Sequence, residues 1–134
     1  MESIWIKEIK ADRNCVTYHL DVSEGLVRYF SPSCEMFAEF GFDISNIPKS
    51  VLAVPVLSNI MQFAWLFDCL VWIEEVDQQF YECLPKIKRG FQEMYRNYSF
   101  GGSLIAAKVV NNGYHAEKES ALLFTGGVDA TTSF

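Results

Sequence analysis

The chain has 134 residues, half of them apolar and 15% aromatic, which is enough for one cored domain and too little for two ordinary ones. That composition excludes a disordered or collagen-like chain. Eleven basic against seventeen acidic residues leave a net charge of −6, and no basic run exceeds Lys86-Ile87-Lys88-Arg89, so broad binding to a nucleic-acid backbone is not expected.

The first residues, Met1-Glu2-Ser3-Ile4-Trp5, carry an acid at the second position and no basic stretch leading into an apolar run. They do not read as a signal peptide, and a cytoplasmic location is expected. The tract from Val51 to Ile73 is long enough on paper to span a bilayer, but Pro55, Ser58, Asn59, Gln62 and Asp68 interrupt it. It reads as buried core, with no membrane partner. Cys15, Cys34, Cys69 and Cys83 form no C-x-x-C pair and lie far in sequence from His19 and His115, so free, mostly buried thiols are expected rather than disulfides or a zinc site.

In chain order, Ile4, Ile6 and, after a slip, Ile9 mark a first strand that ends in the turn residues Ala11-Asp12-Arg13-Asn14. Val16, Tyr18, Leu20 and Val22 then alternate with polar neighbours, the cleanest strand pattern in the chain, which leaves His19 on the surface. Ser23-Glu24-Gly25 turns into a third run, Leu26 to Phe30, and Glu35 to Ile44 alternates again. An antiparallel sheet over residues 3–44 is predicted.

From Pro48 the period changes to helical. Pro55 is read as restarting a second helix, apolar on nearly every side through Phe67. Leu70-Val71-Trp72-Ile73 fits either a short buried strand or a continuation of that helix. Asp77 is an N-cap for a helix whose apolar face is Phe80, Leu84, Ile87, Phe91 and Met94, with Pro85 expected to kink it. The Glu74-Glu75-Asp77 cluster reads as a solvated strand end and cap, and Lys86, Lys88 and Arg89 as a solvated face. Phe100-Gly101-Gly102 reads as a helix C-terminal stop, and Ser103 to Val110 as a strand broken by Asn111-Asn112-Gly113. The predicted core joins Trp65, Leu66, Phe80, Leu84, Ile87 and Phe91.

The chemistry-bearing segment comes last. Ala121-Leu122-Leu123-Phe124 runs into Thr125-Gly126-Gly127-Val128-Asp129-Ala130-Thr131. An apolar strand followed by two glycines, an aspartate and residues able to open a helix is what a phosphate cradle requires. Glycine lets backbone N–H groups turn inward and lets phosphate approach closely, and a helix N-terminus adds positive potential. This segment resembles the PP-loop ATP pyrophosphatases, whose motif is Ser-Gly-Gly-x-Asp-Ser. Thr125 keeps the hydroxyl, Gly126, Gly127 and Asp129 match, and Ala130 lacks the second hydroxyl, which Thr131 replaces only if the helix begins one residue late.

The resemblance covers residues 121–134 and implies adenylylation, in which an oxygen of a small substrate attacks the α-phosphate of ATP and pyrophosphate leaves. It implies that the N–H groups of Gly126, Gly127 and Val128 with the Thr125 hydroxyl hold the β- and γ-phosphates and that Asp129 helps to hold Mg²⁺, with no side chain acting as nucleophile. Residue 2 is glutamate and none of the cysteines sits in a Gly-x-Cys-x-Gly elbow, so a built-in glutaminase is not expected. An acidic leading domain also fits a tRNA partner poorly.

The fold expected from this reading is α+β: an antiparallel sheet packed on helices over residues 1–112, then, over 113–134, the first strand and phosphate loop of a truncated α/β nucleotide-binding domain. Such a fragment alone is expected to be inactive, because ATP and Mg²⁺ bind only in the full-length protein. It is also expected to pair its open strand with its own sheet or with a second copy. The alternative is a non-catalytic binding or oligomerisation module whose glycine loop is only a turn.

Overall fold

A computed structural model of the chain describes residues 1–113. The predicted strand Ala121–Phe124 and the loop at 125–130 lie outside that range, as does all but the first residue of the predicted second segment, 113–134. The described residues form a five-stranded sheet in the order β3-β2-β1-β4-β5, with two α-helices on one of its faces.

The first two strands follow the alternation. In β1 (Ser3–Asp12) Ile4 and Ile6 point to the core, and in β2 (Cys15–Val22) Val16, Tyr18 and Leu20 do the same. The slip before Ile9 is a β-bulge: Ile6 pairs with Leu20 but Glu8 pairs with His19, which leaves Lys7 as the extra residue. Because strand side chains alternate with a period of two, one inserted residue shifts the core-facing set from Ile4 and Ile6 to Ile9 and Ala11.

Two sequence expectations for this region are corrected. Leu26–Phe30 is not a third strand, because Glu24–Tyr29 forms a 3-10 helix that buries only Leu26. Val27 and Tyr29 are exposed, so the run has no single face to give a sheet. The strand next to β2 is β3 (Glu35–Glu39), which stops short of Ile44. Beyond it the chain ties back to the β1–β2 turn, with the amides of Phe40 and Ile44 donating to the carbonyls of Asn14 and Arg13.

The sheet is mixed rather than antiparallel. One continuous helix, α1 (Lys49–Leu66), runs through Pro55 and returns the chain to β4 (Leu70–Asp77), which lies parallel to β1. The buried apolar positions of α1 fall at Leu52, Ala53, Val56, Leu57, Ile60, Met61, Ala64 and Trp65, a stripe that repeats every four residues and ends one residue before Leu66. Leu66 is therefore off the stripe and 46% exposed, contrary to the predicted core. By length and composition α1 could cross a membrane, but half of it is buried within the fold.

The helix α2 (Gln78–Met94), capped by Asp77 as predicted, carries the chain to β5 (Ser103–Val110), which lies parallel to β4. Its phase is as expected at Leu84, which is buried, and at Phe80 and Phe91, which pack against the core. The helix rests on the margin of the sheet, however, so Ile87 is 42% exposed and Met94 extends past the core altogether. Gly101-Gly102 is no helix stop, since α2 ends at Met94. Gly102 (φ +68°) marks a close approach instead: a Cβ there would lie 2.5 Å from the Cys69 carbonyl oxygen and 2.6 Å from that of Ala64. Its N–H donates to Asp68 Oδ1 and its carbonyl accepts from Lys88 Nζ, which ties α1, α2 and the start of β5 together.

Burying a large apolar side chain in this layer contributes roughly 1.5–3 kcal/mol. Tyr18 adds a polar tie: its hydroxyl, sealed in the core, donates to the Leu52 carbonyl of α1. All four cysteines are free thiols, but only Cys69 is buried, fewer than expected. Burial, reinforced by Glu2 and Asp68, pushes its pKa up and keeps the thiol protonated.

Two outcomes follow. Gly102→Ala should cost about 1–3 kcal/mol in urea unfolding, whereas Gly90→Ala, in α2 with open space around it, should gain about 0.5–1 kcal/mol. Burial raises the Tyr18 pKa to about 12, above the unfolded value of about 10. Its contribution to stability is therefore complete below pH 10 and is lost as pH rises from 10 to 12. Unfolding titrations over that window should show this loss in the wild type and not in Tyr18→Phe.

Candidate functional site

The parallel strands β1, β4 and β5 end on the same side of the sheet, and both α-helices begin there. In open sheets with parallel strands, ligands collect outside the carboxyl ends, at the point where neighbouring strands diverge. Here that point lies between β1 and β4. Their pairing runs only from Ser3–Leu70 to Ile6–Ile73, and beyond the Lys7 bulge β1 follows β2 while β4 follows β5.

The crevice left between them is lined by Ile6, Lys7, Glu8, Ile9, Lys49, Ile73, Glu74 and Glu75, and its volume is about 70 Å³. A water molecule takes about 30 Å³ of liquid volume, so this space suits one or two waters or a small ion and not a nucleotide.

Beside the crevice the edge is closed by a buried polar network. Asp77 is 3% exposed and Ser50 fully buried. One oxygen of Asp77 accepts from the Phe80 amide at 3.1 Å, the cap of α2, and the other accepts from Asn112 Nδ2 at 2.8 Å. The same Asn112 amide group donates to Ser50 Oγ in the first turn of α1 at 3.1 Å. A buried carboxylate is tolerated only when donors replace its water. Here Asn112, just past β5, supplies one and at the same time joins the starts of both helices. Asp77 is therefore a cap, as expected, but a sealed one, whereas Glu74 is exposed and Glu75 partly so.

A second, larger feature lies on the sheet face that carries no helix among the described residues. Trp5 and Trp72 are direct partners across the β1–β4 pair, 53% and 43% exposed. With Ser3, Asp21, Val22 and Ser23 they line a cleft of about 480 Å³. Lys7 Nζ lies 5.1 Å above the Trp5 ring and 2.9 Å from Asp21 Oδ2. The Ser23 hydroxyl accepts from the Ser3 amide and donates to the Glu2 carboxylate.

The sequence-predicted site residues Thr125, Gly126, Gly127, Val128 and Asp129, the last also the predicted Mg²⁺ ligand, lie outside the described residues. His19 is exposed as expected, 4.0 Å from Glu35, and Lys88 leaves its solvated face to meet the Gly102 carbonyl. The Ser50–Asn112–Asp77 network and the tryptophan cleft were missed. Trp5 carried a signal, since it stands between Ile4 and Ile6 and so must face away from the core. Asn112 carried none, because its partners are 35 and 62 residues away. No protein-family model, curated protein or solved structure matches the chain.

Removing the Asn112 amide strands buried groups on two helices, so Asn112→Ala should cost about 1–3 kcal/mol in chemical unfolding. Asn112→Asp places a second carboxylate against Asp77. It should be the less stable variant at pH 7 and should recover part of the loss as the pH falls and one of the pair takes up a proton.

Proposed function

We propose that this chain supplies the phosphate loop of an ATP-dependent adenylylating enzyme of the PP-loop kind, acting on a small substrate. The observation that carries the reading is the run Thr125-Gly126-Gly127-Val128-Asp129 directly after an apolar tetrapeptide. Backbone N–H groups at the two glycines supply donors without side-chain bulk, Thr125 adds a hydroxyl, and Asp129 supplies the hard oxygen that Mg²⁺ prefers. In this reading the loop's own task is to hold the β- and γ-phosphates while a substrate oxygen attacks the α-phosphate.

The leading domain supports the reading by position. Asn112 pins the exit of β5 to the carboxyl edge, and Thr125 follows Gly113 by twelve residues, a reach of at most about 40 Å. The motif can therefore act at that edge, close to the helix N-termini. Residues 1–112 would then shape or cover the substrate side of the site.

A second reading is favoured by a different observation, the half-exposed Trp5 and Trp72. In it the chain is a binding module and the glycine pair an ordinary turn.

Pyrophosphate release, measured on the protein carrying the complete nucleotide-binding domain, distinguishes the two. Gly127→Val should abolish release by placing bulk where phosphate must approach, and Asp129→Asn should lower it mainly by weakening Mg²⁺ dependence. Wild-type rates in both variants would leave the loop a turn.

A further inference from the structure

We infer that the cleft between Trp5 and Trp72 binds a flat nitrogen heterocycle of the nucleobase type, an activity separate from the glycine loop. Trp5 and Trp72 occupy paired positions on adjacent strands, yet among the described residues no ring contact joins their indoles. Each is about half exposed beside the opening, with Lys7 Nζ over the Trp5 ring. An indole presents about 150–250 Å² for burial and stacks best on another flat ring. A cleft of about 480 Å³ lies within the range of small-ligand sites, about 300–1,000 Å³.

The rim selects among flat ligands. Asp21 gives one carboxylate oxygen to Lys7, and among the described residues its other oxygen has no partner, so it can accept from ring or exocyclic N–H groups at a heterocycle's edge. The Ser23 hydroxyl is already committed to Glu2 and Ser3. A saccharide, which needs several hydroxyl partners at once, has only the Ser3 hydroxyl and the second Asp21 oxygen among the described lining side chains, whereas a base needs a stacking surface and one acceptor. Lys7 is engaged by Asp21 and lies over Trp5, so the described lining residues offer no unpaired cation to a phosphate. The ligand recognised is the ring itself.

The test is a titration of the full chain with adenosine and with guanosine, which lack phosphate and so bypass the glycine loop, followed by tryptophan emission and by the indole N–H resonances. Saturable quenching in the millimolar range or tighter is expected, with shifts at Trp5 and Trp72 and none at the buried Trp65. Trp5→Ala and Trp72→Ala should weaken binding at least tenfold, Asp21→Asn severalfold, and Trp72→Phe by less than about threefold because a flat ring remains. Should an alanine variant fail to fold, the wild-type resonance shifts and Asp21→Asn still decide the matter. The inference is overturned by absence of saturable quenching up to the solubility of either nucleoside, by shifts confined to other residues, by unchanged affinity in folded Trp5→Ala and Trp72→Ala, or by equal binding of methyl glucoside.

Discussion

The parallel pairing of β1 with β4 is the constraint on which the described fold depends. Ile4 and Ile6 on one strand and Val71 and Ile73 on the other form the centre of the apolar layer, and α1 lies across them. β1 enters this pair from the amino terminus and β4 from the far end of α1, so the chain must close a loop of more than sixty residues before their contacts form. What stabilises that closure is the stripe on α1, which buries eight apolar residues against the sheet. The hairpin to β2 and the unit through α2 to β5 flank this centre on either side.

The same pairing determines where chemistry can occur. Among the described residues the helices layer one face only, and strand alternation places Trp5 and Trp72 together on the other because Ile4, Ile6, Val71 and Ile73 face inward. The Lys7 bulge ends the pairing, opens the small crevice at the carboxyl edge and sends β1 off with β2. Asn112 closes the edge with the two helix starts and fixes where the segment carrying the glycine motif departs. The tryptophan cleft and the exit at Asn112 thus follow from one arrangement of strands, although they belong to separate proposals.

Local pattern was readable in the sequence and long-range pairing was not. The alternation at Val16, Tyr18 and Leu20, the cap at Asp77, the Leu84 face and the slip before Ile9 are all short-range signals, and the structure contains each. The partner of β4 is not encoded in any such period: Leu70 to Ile73 is a run of four apolar residues that fits a strand or a helix, and its parallel mate lies 67 positions away. Leu26–Phe30 misled because apolar residues on both sides of a run resemble a buried strand, whereas its conformation follows from the hydrogen bonds of Ser23 to Ser3 and of Leu26 to Ser23. Leu66 and Ile87 show the complementary error, since helical phase says which face turns inward but not how far the partner surface extends.

Interstrand nuclear Overhauser contacts between β1 and β4 in solution test the account most directly. It predicts a register in which both numbers rise together, Ile4 opposite Val71 and Ile6 opposite Ile73, with Trp5 beside Trp72. A descending register, with Ile4 opposite Ile73 and Ile6 opposite Val71, or no contact between these strands, would contradict it.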